Sequence, residues 1–331
     1  MNSGSMSLNG RNVILNGTIS QNSNSKFIGH TNSELHLNLS SVSNDTLFFD
    51  NTSTNNQSLS KLKINLTPTT TIVLGSKLNI HNELTFVKGK VELVNDDLVI
   101  MPAASITGYD DSYYIVTSQN NSGALIMNVN AGSAYVTFPV GTSNNYSPAH
   151  IQQASSATSG NFNVRAMNTV LSGGTSGFVN SNTLKVVNRT WFVNSTVSTI
   201  NANLKFGWVA AAEVNGFNRN NAYVSHFTSS AWDVVSAGSA TVSTNNTYEL
   251  SRMGMTSLSP FAVVETGEPL KVKEQSISDN FEVYPNPSKD VVNVKLSNPS
   301  DDYNYELPAI TGSTSSTSII SNSSNKSGIK I

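Results

Sequence analysis

The sequence predicts an all-β protein: an N-terminal parallel β-helix-like solenoid, an antiparallel β-sandwich and a small C-terminal domain of the β-sandwich type. Three observations lead to this prediction. Pairs of apolar residues separated by one position return every 19 to 22 residues in the first part of the chain. One strictly alternating stretch lies in the second part, and two strand-like stretches flank a Pro-Asn-Pro corner near the end.

Residues 1–154 are predicted to form the solenoid together with its cap. Four apolar pairs return one coil later: Val13 and Leu15 as Leu35 and Leu37, Leu62 and Ile64 as Leu84 and Phe86, Ile72 and Leu74 as Val91 and Leu93, and Leu78 and Ile80 as Leu98 and Ile100. In a parallel β-helix these residues point inward, while the residues between them, such as Lys63, Asn79 and Glu92, point outward. Residues 107–151 are expected to close the open end. The competing interpretation is a large antiparallel sandwich, whose strands give a similar pattern.

Residues 161–265 are predicted to form an antiparallel sandwich, after a break of small residues at 155–160. Five apolar residues alternate with Asn, Lys and Gly between Ile200 and Trp208, which is the clearest strand signal in the chain. All three tryptophans lie in this part. We expect Trp191 and Trp208 in the core and Trp232 on the surface, beside a Ser-Ser turn.

Composition excludes several classes of function. The formal net charge is −2, with 19 Lys and Arg against 21 Asp and Glu and no block of like charge. Neither nucleic acid nor a charged membrane surface is therefore an expected partner. The sequence has no cysteine, which removes disulfides, thiolate metal sites and cysteine nucleophiles. No apolar run reaches the roughly 18 residues of a membrane span, so the chain is predicted not to span a membrane.

The histidines show no spacing typical of a metal site, and we predict neither a metal nor a cofactor. A surface or loop position is expected for each of them, namely His30, His36, His81, His150 and His226. Serines are abundant, but no Gly-x-Ser-x-Gly motif is present to mark a nucleophile.

Asp110 and Asp111 are an acidic pair with several aromatic neighbours, because Tyr109, Tyr113 and Tyr114 surround them. Many polysaccharide lyases are β-helices, and glycosidases need two convergent carboxylates. The two aspartates are therefore the first catalytic candidates if the protein is a lyase or a glycoside hydrolase. The simpler interpretation is that they form a turn, which is the usual role of adjacent aspartates.

A charged segment, residues 266–280, is predicted to be a linker that leads to a C-terminal domain at 281–331. The domain opens with a strand, a corner rich in proline and a second alternating strand. The residues that make up this motif are Val283, Tyr284, Pro285, Asn286, Pro287 and Asp290, followed later by an Ile-Thr-Gly that ends at Gly312.

This motif resembles the type A C-terminal sorting domain of Bacteroidetes proteins, which is the address for the type IX secretion system. The resemblance covers roughly the last fifty residues and is closest in their first half. From residue 313 onward the tail departs from the family, because it is mostly Ser, Thr and Asn and lacks the usual final strand and basic terminus. The resemblance implies an export route and carries no information about activity.

In this family the sorting domain engages the type IX translocon and an outer-membrane shuttle barrel, and it is then removed or exchanged for a lipopolysaccharide anchor. The expected location is therefore extracellular or on the outer-membrane surface, with cleavage between Glu265 and Asn280. The chain begins without a signal peptide, so we expect an export signal to have preceded residue 1. Asp45-Thr46-Leu47 resembles the Bacteroidetes O-glycosylation sequence, which would place a sugar on Thr46 in an exposed loop.

The leading hypothesis is an exported, non-catalytic, adhesin-like surface protein. Its long face rich in Ser, Thr and Asn would bind an extracellular polysaccharide or another cell-surface ligand through many weak polar contacts. The alternative is a β-helical polysaccharide lyase or glycoside hydrolase. A third hypothesis, ice binding, has only the threonines at 67 and 69–71 in its favour.

Overall fold

The structure is a computed structural model that describes residues 4–40, 45–67, 70–118, 121–243 and 245–268, together with four short strands nearer the C-terminus. The chain divides into two units, Met1–Lys271 and Val272–Ile331, and each is described by itself. Among the described residues, the helical structure consists of three 3-10 turns at Asn180–Asn182, Ala210–Ala212 and Arg219–Asn221. No helix in that part of the chain has the length and hydropathy to cross a membrane.

The first unit is built from short strands. In chain order they are β1 Gly4–Ser7, β2 Asn12–Gly17, β3 Ser25–Ile28, β4 His30–Leu39, β5 Thr46–Leu47, β6 Ser58–Asn65, β7 Thr71–Leu74, β8 Leu78–Lys88, β9 Lys90–Leu93, β10 Leu98–Ile100, β11 Ser105–Thr107, β12 Ile115–Val116, β13 Leu125–Val129, β14 Val136–Phe138, β15 Val140–Gly141, β16 Ala149–Gln153, β17 Gly160–Asn168, β18 Val186–Ser195, β19 Ala202–Trp208, β20 Ala222–Thr228, β21 Ala231–Trp232, β22 Thr241–Val242, β23 Tyr248–Met255 and β24 Pro260–Glu265.

The predicted solenoid is confirmed, because the strands of the first half of this unit pair in parallel. One ladder runs β2-β4-β6-β8-β10-β13 and a second runs β5-β7-β9-β12-β15, while β1 and β3 form a short third pair. All four apolar pairs found in the sequence are cross-strand partners in the expected register. The antiparallel alternative for this region is wrong.

The interior of the solenoid is a column of stacked aliphatic side chains. Leu35, Leu62 and Leu84 are register partners on successive coils, and each is almost fully buried. Because side chains alternate across a strand, every second residue enters this column and its neighbours face solvent. Burial of apolar surface along the column is the main stabilising contribution that this geometry provides.

The second half of the unit is an antiparallel sandwich, as predicted. The long ladder continues as β13-β17-β18-β24-β20-β21, now with antiparallel pairs, and a second sheet has the order β14-β16-β19-β23-β22. The two sheets pack through aromatic rings: Phe206 lies 5.0 Å from Trp191 and 5.2 Å from Phe261, measured between ring centroids. Trp191 and Trp208 are both fully buried, which confirms their predicted core positions.

The two halves share one sheet and one hydrophobic core. Strand β13 marks the junction, since it pairs in parallel with β10 on one side and antiparallel with β17 on the other. Strands β14 and β16 precede the boundary expected at residues 155–160, yet β16 pairs with β19 of the sandwich. Residues 107–151, expected to close the solenoid, therefore contribute to both parts of the unit. Strands β14 and β16 belong to the antiparallel sheet, whereas β12, β13 and β15 are the last parallel strands of the solenoid.

Two predictions about single residues in the sandwich are wrong. Trp232, expected on the surface, is buried: its Nε1 donates to the carbonyl oxygen of Leu171 at 2.8 Å and its ring packs edge-on against Phe227. His226, expected on the surface or in a loop, is buried in β20 and stacks on Phe261 with a centroid distance of 4.5 Å. In both cases residues distant in sequence cover the side chain.

In the second unit the structure describes four strands, β25 Glu282–Tyr284, β26 Val291–Lys295, β27 Ser318–Asn322 and β28 Lys326–Lys330. They form an antiparallel sheet in the order β25-β26-β28-β27. Val283 and Tyr284 of the predicted sorting motif lie in β25. Pro285, Asn286, Pro287, Asp290 and Gly312 lie outside the described residues, as do residues 269–280 of the predicted linker.

Candidate functional site

The outward side of β2, β4, β6, β8 and β11 is a polar surface, which we call the ladder face. Strand register aligns its side chains in three rows: Asn12, Glu34, Lys61, Glu83 and Ser105; Ile14, His36, Lys63, Thr85 and Thr107; and Asn16, Asn38, Asn65 and Lys88. Five strands at the usual spacing of about 4.8 Å give these rows a length of roughly 19 Å.

Side chains in these rows hydrogen-bond to their neighbours on the next coil. The amide of Asn38 donates to Asn16 at 3.3 Å, and the amide of Asn65 donates to Asn38 at 3.1 Å. Thr107 donates to the carboxylate of Glu83 at 3.0 Å. Because each contact connects successive coils, the rows hold their side chains in fixed positions before any ligand arrives.

Opposite charges alternate along the first row. The Glu34 carboxylate lies 3.3 Å from Lys61 Nζ and 3.6 Å from His36 Nε2, and it accepts a hydrogen bond from Asn12. The expected outward position of His36 is confirmed. His81 also faces outward from its strand, and its Nε2 lies 3.2 Å from Ser58 Oγ. The ladder face therefore offers donors and acceptors in an array with a small positive charge, because its rows contain three lysines and two glutamates.

A notch lies where the ladder face ends. Strand β10 continues to β13, whereas β11 pairs, within the described part of the chain, with β8 alone. The chain after β13 instead turns toward Gln153 and enters β14. The resulting opening has a volume of about 330 Å³ and is lined by Ile100, Met101, Pro102, Ala104, Met127, Asn128, Asn130, Ser133, Ala134, Tyr135 and Val136.

Contacts from the second sheet hold Tyr135, at the edge of the notch. The ammonium of Lys205 lies 5.1 Å from the centroid of the Tyr135 ring, within the range of a cation–π interaction. The Tyr135 hydroxyl lies 3.8 Å from the sulfur of Met253. Lys205 is itself fixed by an ion pair of 3.1 Å with Glu249. The aromatic residue is thus positioned by a network on the outer side of the antiparallel sheet.

That network extends across four strands, β14, β16, β19 and β23, and includes a histidine predicted to be on the surface or in a loop. His150 lies in β16, where its Nδ1 is 2.9 Å from Thr137 Oγ1 and its Nε2 is 3.3 Å from Glu249 Oε1. The contact with His150 is the largest influence on the pKa of Glu249. With the help of Ser243 and Lys205 it holds the pKa of that carboxyl at about 2, although burial acts in the opposite direction. Sequence patterns did not reveal this group, because Thr137, His150, Lys205 and Glu249 are 13 to 112 residues apart.

Asp110 and Asp111 take part in a turn. One carboxylate oxygen of Asp110 accepts from the backbone N–H groups of Ser112 and Tyr113, at 2.7 and 2.9 Å. Asp111 accepts from the Ser112 hydroxyl at 3.4 Å and from the Asn246 amide at 3.3 Å. These contacts are those of turn-forming aspartates. The catalytic hypothesis for the pair stays a prediction.

The remaining predicted site residue, Thr46, lies in β5 and pairs with Val73, so it occupies a strand where an exposed loop was expected. Its side chain is half-buried. In the described residues no group of three or more His, Asp or Glu side chains is arranged to hold a metal ion.

Comparison with known proteins adds no relative: no protein-family model, no curated protein and no solved structure matches this chain. Any functional argument therefore depends on the chain's own residues.

Proposed function

We propose that this protein is an exported, non-catalytic, adhesin-like protein that binds extracellular polysaccharide through the ladder face. The observation that carries the proposal is the set of rows of hydrogen-bonded polar side chains on five successive coils. A polysaccharide presents hydroxyl groups at a regular repeat along its length. A rigid array of donors and acceptors at the strand spacing meets such a polymer with many similar contacts.

The small net charge of the ladder face supports a neutral or weakly charged ligand. Glu34 is paired with Lys61, and Glu83 accepts from Thr107, so the carboxylates are already engaged. Individual contacts of this kind are weak in water, each worth about 1 kcal/mol. Affinity for a long polymer would then come from their number, and short fragments would bind much less tightly.

Binding is tested by affinity electrophoresis of the purified chain in gels that contain one polysaccharide each, drawn from a panel of neutral and acidic polymers. We expect retardation by at least one polymer and weaker retardation of the double variant His36→Ala, Lys63→Ala, whose positions are neighbours in the middle row. The matched control is Asn182→Ala, at an exposed position in the sandwich. The proposal fails if no polymer retards the wild type.

The export route rests on the resemblance of residues 281–331 to a sorting domain. In a bacterium with an active type IX system, we expect a variant that lacks these residues to remain inside the cell while the intact chain reaches the medium or the surface. As a reciprocal control, residues 266–331 attached to a periplasmic carrier protein should direct its export. Unchanged export of the shortened chain would refute the route and leave the binding proposal untouched.

A further inference from the structure

The notch at the end of the ladder face differs from that face in three ways. It is concave, it is lined by both apolar and polar groups without a charged side chain among its described residues, and it contains an aromatic residue. Its volume of about 330 Å³ lies at the lower end of the range for small-molecule sites. None of the described residues that line it carries a charge.

The lining combines apolar and polar groups in the manner of a site for an amphipathic ligand. Met101, Pro102 and Met127 provide apolar surface, and methionine side chains adapt readily to the shape of a ligand. Asn130 is exposed at the rim, and its side chain can both donate and accept. Tyr135 adds an aromatic ring with a hydroxyl group, already held by Lys205 and Met253.

The position of the notch gives it a relation to the ladder face. Thr107 ends the middle row, belongs to β11 and hydrogen-bonds to Glu83 of the first row. The notch begins next to this strand, because Ala104, which lines the notch, directly precedes β11, and β11 has no described partner on its outer edge. A linear polymer that lies along the rows therefore reaches the notch at one end of the face.

We propose that the notch is a binding site for one or two rings of a neutral saccharide, at the end of the polymer that occupies the ladder face. The inference rests on the proposed function and specifies its ligand class. A sugar ring has an apolar C–H surface and a polar rim of hydroxyls. The C–H surface would pack against Met101, Met127 and Tyr135, and the hydroxyls would hydrogen-bond to the Asn130 amide. An extended peptide fits less well, because β11 offers only the three residues Ser105–Thr107 for strand pairing.

The test is isothermal titration calorimetry of the full chain with short neutral oligosaccharides (cello-, xylo- and manno-oligosaccharides), with oligogalacturonate as the acidic comparison. Two variants alter the notch in opposite ways: Asn130→Ala removes an amide, and Ala134→Trp fills the space. Both positions are exposed, so folding should be retained. The matched controls are Asn182→Ala and Ala211→Trp, at exposed positions elsewhere.

We expect at least one neutral oligosaccharide to bind and both notch variants to raise its Kd at least tenfold, while the control variants leave it unchanged. If a polysaccharide binds the wild type but both notch variants retain wild-type Kd values, the notch inference is overturned and the proposed function stands. Binding of oligogalacturonate alone overturns the neutral ligand class. A heptapeptide that binds the wild type and is excluded by Ala134→Trp would assign the notch to a peptide and overturn the saccharide assignment.

Discussion

Replacement of Glu249 by glutamine should weaken the protein near neutral pH and reduce its sensitivity to acid. The Glu249 carboxylate is 3.3 Å from His150 Nε2 and 3.1 Å from Lys205 Nζ, and only about a tenth of its side chain is exposed. These contacts lower its pKa from 4.5 to about 2 in the folded chain. Each pKa unit corresponds to about 1.4 kcal/mol, so the ionised carboxylate contributes about 3 kcal/mol to the free energy of unfolding at pH 7.

The sign of the pH dependence follows from the direction of the pKa change. Because the pKa is lowered on folding, the unfolded chain takes up a proton first as the pH falls. The contribution of Glu249 is therefore complete above the unfolded pKa of 4.5 and is lost as the pH falls toward 2. Between pH 7 and pH 3 the loss amounts to about 2 kcal/mol for this single carboxyl group.

The measurement is urea unfolding at pH 7 and pH 3, followed by tryptophan fluorescence, because all three tryptophans lie in the sandwich that contains Glu249. We expect the free energy of unfolding to fall by about 2 kcal/mol more in the wild type than in Glu249→Gln over this interval. Glu92→Gln, at an outward position of β9, serves as the control and should keep the wild-type pH dependence. Equal losses in the wild type and Glu249→Gln would refute the argument.

Three further substitutions test the fold by urea unfolding. Leu62→Ala removes a buried side chain of the aliphatic column and should lower the free energy of unfolding by about 3 kcal/mol. Lys63→Ala, at an outward position, should change it by less than about 0.5 kcal/mol. Similar effects of the two substitutions would contradict the parallel register. Gly108→Ala should cost more than about 2 kcal/mol, since Gly108 has φ +71° and an added Cβ would lie 1.9 Å from the Phe86 carbonyl oxygen. Trp232→Ala should lower the free energy of unfolding by about 3 kcal/mol or more. An unchanged free energy of unfolding would indicate that the Trp232 ring is exposed.

The solenoid was predictable because its information is local. An inward-facing apolar pair and a coil of nearly constant length suffice to align Leu62 with Leu84 and Ile72 with Val91, as observed. The same rule failed to connect Leu35 with Leu62, which are register partners 27 residues apart. The coil between them contains an additional segment of turns at residues 51–57, which lengthens the repeat, and the pairing of β4 with β6 has a register shift between His30 and Glu34.

The sandwich was harder to predict at the level of single residues. The Ser-Ser turn before Trp232 is real, since Ser229 and Ser230 both have positive φ, but the turn does not decide exposure. Burial of Trp232 depends on Leu171, more than 60 residues earlier, and burial of His226 depends on Phe261 of the neighbouring strand. Local alternation predicts a strand and cannot predict which distant segment covers it.

Only part of the candidate site could be found from the sequence, for a related reason. The ladder face follows from the coil repeat, since outward residues such as Asn38 and Asn65 are aligned by the same register that aligns the core. The notch, in contrast, exists because the chain after Val129 leaves the solenoid path and enters β14, while β11 has no partner on its outer edge among the described residues. A sequence repeat predicts that a strand ladder continues on the next coil. It does not predict the coil at which the ladder stops, as it does at β11 while β10 continues to β13. The proposed saccharide site is therefore a consequence of the way the parallel and antiparallel halves join, and Asn130→Ala and Ala134→Trp test it.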